Sequence, residues 1–178
     1  MFGAVKATVW LHGSALRSEG ETGLTIQYKD DGAYILSTPN RGNTAWFHFD
    51  IPNPACFSDT ISPLSRVMIL YNTLSEGGEP INGGAITHVR LYDGVSLINA
   101  FDDLQLSGWH LSGHVDTNTF RIDPPHVIVS GLRVSICYRF APDIVSIPFH
   151  IASIGADFLS NELEGNEVSG RSQNNVGI

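Results

Sequence analysis

The stretch LRVSICYRF, residues 132–140, constrains the fold more tightly than any other part of the chain. Leu132, Val134, Ile136, Tyr138 and Phe140 alternate with Arg133, Ser135, Cys137 and Arg139. Successive strand side chains point to opposite faces, so this period of two predicts a half-buried strand with its apolar side on a core. The same rhythm recurs at residues 5–13, where Val5, Ala7, Val9 and Leu11 oppose Lys6, Thr8, Trp10 and His12. In NTAWFHFDIP (43–52), Phe47, Phe49 and Ile51 oppose Trp46, His48 and Asp50. No segment sustains a 3.6-residue apolar period, so no long helix is expected.

Turn signals divide the remainder. GLTIQY (23–28) and AYIL (33–36) flank KDDG, and AITHVRLYDG (85–94) runs through Asp-Gly into VSLINAF (95–101); both pairs read as hairpins. RVMILY (66–71) is apolar on both faces and predicts a central strand covered on each side. Between 145 and 158 the apolar parity runs from Val145 to Ile151 and then moves to Ile154, Ala156 and Phe158. One extra residue at Ala152–Ser153 would cause that shift, so a β-bulge is expected there. Pro148 cannot donate to a ladder, which predicts an edge or bulged position.

These elements predict an all-β protein: one antiparallel β-sandwich, jelly-roll-like, of roughly eight to ten strands over residues 1–158. Its core is expected to hold Phe47, Phe49, Val67, Ile69, Val134, Ile136, Tyr138 and Phe140. A chain of 178 residues suits one domain and buries enough surface to fold without a disulfide or metal staple. Residues 159–178 are polar and free of aromatics, the composition of a C-terminal tail.

The stretches VWLHGSALR, NTAWFHFDIPNP, VRLYDG with FDDLQLSG, and VSICYRF followed by ASIGADF resemble an uncharacterised family of small bacterial proteins of unknown function. The resemblance spans residues 5 to 158 and implies a compact β-sandwich. It implies no activity, cofactor or catalytic residue.

Charge narrows the partners. Eighteen acidic and ten basic residues give a formal net charge of −8, and no two Lys or Arg are adjacent. Nucleic acid and anionic membranes both call for a basic stripe, so neither is an expected partner. The charged fraction of 16% lies below the ordinary quarter and leaves many uncharged strand faces; a homo-oligomer is expected, with the tail packed outside its own sandwich. The first residues lack a signal-peptide pattern, and two cysteines 81 positions apart (Cys56, Cys137) make no disulfide framework, so a cytoplasmic location is expected.

The densest chemistry lies in FDDLQLSGWHLSGH, residues 101–114. Asp102 and Asp103 would point to opposite faces of a strand. Calcium, which takes six to eight oxygens, is the one ion the acidic residues suggest, with Asp93, Asp102 and Asp116 as donors if their loops meet. The plainer reading has Asp93 and Asp102 capping turns, and no cofactor is expected. His110 and His114 are four apart, but two glycines and a serine nearby argue against the helix that would align them on zinc. No GxSxG occurs, and the glycines of EGGEP and NGG lack the lysine and helix of a phosphate loop.

Aromatic platforms remain. Trp10, Trp46, Tyr92 and Trp109 offer faces for a sugar ring, with His48, Asp93, Asp102 and His110 to fix hydroxyls. The residues Trp46, His48, Asp93, Asp102, Trp109 and His110 are therefore the candidate ligand contacts, with Trp109 expected in a loop. The leading expectation is a non-enzymatic binding or assembly protein, most concretely a lectin-like carbohydrate binder. The rivals are a hydrolase whose groove joins Trp46, His48, Asp93, Asp102 and His110, and a purely structural homo-oligomer.

Overall fold

Alternating apolar positions need a second apolar surface to cover them, and here two sheets supply it to one another. The computed structural model describes residues 5–19, 23–37, 44–53, 62–74, 84–112, 116–141 and 148–160, with the backbone alone for Lys6 and Asp116. Cys56, His114, Val145, the EGGEP segment and nearly all of the expected tail lie outside the described residues.

Among the described residues, ten strands of six or more residues form the body: β1 (Val5–His12), β3 (Leu24–Lys29), β4 (Gly32–Ser37), β5 (Thr44–Ile51), β6 (Pro63–Asn72), β7 (Ala85–Asp93), β8 (Ser96–Phe101), β10 (Thr119–Val127), β11 (Leu132–Arg139) and β12 (Phe149–Leu159). Two strands of two residues each, β2 (Arg17–Ser18) and β9 (Trp109–His110), extend the edges. One sheet runs β10–β6–β12–β4–β3, with β1 also beside β12 and β9 beside β6; the other runs β2–β5–β11–β7–β8. Their pairings are antiparallel, and the two expected hairpins are β3–β4 and β7–β8. No helix among the described residues is long and apolar enough to cross a membrane.

The predicted core residues all lie inside. Phe47, Phe49, Val67, Ile69, Val134 and Ile136 are wholly buried, and Tyr138 and Phe140 nearly so. The sheets lock through aromatic pairs: Tyr138 of β11 stacks on Phe149 of β12 with ring centres 3.9 Å apart, and Phe101 meets Phe120 edge-on. Strand β6 has a neighbour on each edge, and Met68, on its outer side, is also fully buried.

The bulge falls where the parity shift placed it: the β12–β6 register skips between Ile151 and Ser153. On its other edge β12 pairs with β4 through Ile151 and with β1 from Ser153, so the bulge sits where one neighbour gives way to another. Pro148 corrects the expectation made for it. It lies just ahead of the strand, where its missing N–H removes nothing from the ladder. Strand β12 also runs to Leu159, one residue into the segment expected as tail.

Candidate functional site

The outward half of the β11 alternation builds a trough. In the register of the five-stranded sheet, Ser135 lies between His48 of β5 and Arg90 of β7, Cys137 between Trp46 and His88, and Arg133 between Asp50 and Tyr92. Small side chains on the central strand between large ones on both flanks leave a depression along β11. Its cavity, of about 400 Å³, is floored by Ser135 and walled by Trp46 and His48 on one side and by Arg90 and Tyr92 on the other. Glu19 closes the outer corner, and Arg133 stands at the lower end.

The polar groups hold one another in place. The Nε2 of His48 lies 3.1 Å from a Glu19 carboxylate oxygen, and its Nδ1 lies 2.8 Å from the Ser135 hydroxyl. The Arg90 guanidinium sits 5.0 Å from the Trp46 ring centre, and the His88 ring lies 5.8 Å from it. Asp102 backs this group, 3.4 Å from Arg90 Nε and 4.0 Å from His88 Nε2. Arg133 Nε donates to Asp50 at 2.8 Å, and Arg17 approaches the other Asp50 oxygen at 3.6 Å. Exposed ion pairs contribute about 0 to 1 kcal/mol each, and a cation–π contact at an exposed site about as much. Such contacts orient side chains without binding them so tightly that a ligand could not share or replace them.

The six expected contacts do not share one place. Trp46 and His48 line the trough, and Asp102 stands behind its Arg90 wall. Asp93 is a clamp between loops. Its carboxylate accepts the backbone N–H groups of Val129, Ser130 and Gly131 at 2.9, 2.6 and 3.1 Å, with His126 at 3.8 Å. Burial raises its pKa, but the three N–H donors and His126 outweigh that and hold the carboxyl below its ordinary value. Both oxygens are thus engaged, which argues against the calcium role considered for Asp93. Among the described residues no three His, Cys, Asp or Glu side chains converge as a metal set.

Trp109 and His110 belong to the other sheet. They form β9 against Asn72 and Tyr71 of β6, which corrects the loop expected for Trp109, and Trp109 is half exposed there. His110 is occupied: its Nε2 donates to the Ser107 carbonyl at 3.1 Å, Thr117 approaches its Nδ1 at 3.2 Å, and its ring packs on Tyr71. The groove expected to join Trp46, His48, Asp93, Asp102 and His110 is therefore not assembled. Glu19, His88, Arg90, Arg133 and Ser135 were not among the candidates. Parity offered a signal for the last two, since they occupy the polar face of LRVSICYRF. A further cavity of about 360 Å³ lies on the seven-stranded sheet between Val5, Arg66, Arg121 and Leu159, and among the described residues no aromatic side chain lines it.

A family model described as a family of unknown function, DUF6623, matches residues 4–162. The chain belongs to this family. For this DUF6623 member no curated protein matches. Two solved structures are similar in shape. A xylan-binding module CBM15 aligns with a TM-score of 0.49 at 16% identity, covering 85% of this chain and 96% of that one. A family 35 carbohydrate binding module from Clostridium thermocellum gives 0.40 at 12% identity, covering 83% of this chain and 97% of that module.

Proposed function

We propose that the protein binds carbohydrate, without catalysis, in the trough on the outer face of the five-stranded sheet. The observation that carries this reading is Trp46 standing in the wall of an open cavity whose floor and rim are hydrogen-bonding groups. A sugar ring has C–H faces that pack on an aromatic side chain, and a girdle of hydroxyls that both donate and accept. The trough supplies Trp46 and Tyr92 for the first. For the second it supplies guanidinium donors at Arg90 and Arg133, an acceptor at Glu19 and the two-way hydroxyl of Ser135.

Glycoside hydrolysis generally calls for two carboxyl groups flanking one bond. Among the described residues that line this cavity, Glu19 is the single carboxylate, and it is tied to His48. That favours binding over hydrolysis.

The test is affinity electrophoresis through gels containing soluble xylan, glucan, mannan or pectin, followed by calorimetry with any polysaccharide that retards the protein. Trp46→Ala should lose at least about tenfold in affinity, the loss of a stacked ring from a binding centre. Trp109→Ala, on the other sheet, should bind as the parent does. If Trp46→Ala keeps full affinity, or if Trp109→Ala alone loses it, the trough is not the site.

A further inference from the structure

The trough does not stop at Arg133. A second cavity, of about 430 Å³, lies beyond it, between Pro52 and Asn53 on one side and the Val129–Gly131 turn on the other. Gly94 and Arg133 line both cavities, so the two meet there. They lie in file along β11. From Ser135 under the first to Gly131 under the second is four residues, about 13 Å at the rise of a strand.

The two ends differ. Above Ser135, Trp46 and Arg90 come together over Cys137, which is buried beneath them and beneath His88. Flanking strands β5 and β7 are two ladder spacings apart, about 9.6 Å, so a guanidinium 5.0 Å from the ring centre spans that gap. The trough is blind at this end. At the other end, among the described residues, it runs past Pro52 and Asn53, where β5 has finished.

We propose, resting on the carbohydrate reading above, that the trough takes one end of an extended sugar chain. The terminal unit seats against the Trp46–Arg90 wall, and the following units run over Arg133 into the second cavity. Arg133 is the contact at the junction. Its Nε is held by Asp50, which fixes the guanidinium plane and leaves its outer nitrogens directed away from that bond.

The experiment uses the full chain with cello-, xylo-, manno- and galacturono-oligosaccharides, each from monosaccharide to hexasaccharide, and the matching long polymer. Calorimetry reads affinity and the number of protein molecules bound per chain. In the series that binds, affinity should climb roughly tenfold or more from disaccharide to hexasaccharide. The count should stay at one protein per chain however long the polymer. Ser130→Leu, at an exposed position bordering only the second cavity, should erase the climb and keep the disaccharide affinity. Arg133→Ala should weaken the hexasaccharide more than the disaccharide, and thermal melts would show that both variants are folded.

A hexasaccharide bound no more tightly than the disaccharide would overturn the proposal while leaving carbohydrate binding intact. So would a protein count that grows with polymer length, the sign of interior binding. A climb that survives in both folded variants would have the same consequence. Failure of every series to bind would remove the carbohydrate reading itself, and this proposal with it.

Discussion

Replacing Asp93 with asparagine tests whether one carboxylate holds the loops at the trough's lower end. Asp93 is the last residue of β7, and its oxygens reach 36 to 38 positions along the chain to the turn after β10. The neighbouring Gly94 has φ of +59° and donates its N–H to the Gly131 carbonyl; a Cβ at Gly94 would lie 2.8 Å from that of Ser130. An asparagine in this place keeps one carbonyl oxygen for Ser130 and Gly131. It turns an NH₂ toward the Val129 N–H, donor against donor. Hydrogen bonds to a charged group contribute about 1.5 to 3 kcal/mol each. Losing one bond and the charge on two others should therefore cost about 2 to 3 kcal/mol, since the exposed turn recovers part of the loss from water.

The pH dependence separates this account from simple misfit. The carboxyl's folded pKa lies below its unfolded value, so its stabilisation is present above about 3.9 and is lost as pH falls through the folded value. The amide of the Asp93→Asn variant does not titrate. The stability gap between parent and variant should be full at pH 7 and should shrink as pH drops below about 4. Urea melts across that range measure it. A gap unchanged at pH 3, or no gap at pH 7, would refute the clamp.

Two further perturbations probe the body of the fold. Ile136→Ala removes a wholly buried side chain from the central strand and should cost about 2 to 5 kcal/mol, lowering Tm by roughly 4 to 20 °C; an unchanged Tm would reverse the face assigned to β11. Asp157→Ala strips a buried carboxylate from its partners, the Thr8 hydroxyl at 2.6 Å and the Arg66 guanidinium, and should cost about 3 kcal/mol by urea melt. A loss below about 1 kcal/mol would mean that this row across β1, β12 and β6 contributes little.

What the sequence revealed was local and periodic. The inward set of β11, the parity of Trp46 to Ile51 and the bulge at Ala152 follow from side chains alternating along single strands, a rule that needs no partner strand. Strand β9 was illegible because two residues cannot show a period; Trp109 and His110 became a strand only by meeting β6. Asp93 offered a carboxylate beside a turn, and capping was the right kind of role for it. The turn that it caps, however, is the distant one that joins β10 of one sheet to β11 of the other. The trough was hidden for the same reason. Ser135, His48 and Arg90 come from three strands, and only the register of β5, β11 and β7 puts them in one row. The polar alternation said which side chains face outward, but not which of them would be neighbours.

That register also explains why the middle of one sheet is filled and the middle of the other is open. On the seven-stranded sheet the smallest residue of the central strand is Gly155, opposite Trp10 on one side and Met68 on the other. The Trp10 ring lies so close that a Cβ at Gly155 would come within 2.7 Å of it, so the tryptophan occupies the very space the glycine leaves. On the five-stranded sheet the small central residues come as a pair, Cys137 and Ser135, two positions apart on the same face. One tryptophan cannot cover both. Trp46 meets Arg90 and His88 above Cys137, and Ser135 is left as the floor of a cavity. Each sheet thus sets a tryptophan against small residues on its central strand. On β11 the Trp46 ring stands beside Cys137, and Ser135, opposite His48 and Arg90, is left as the floor of the trough.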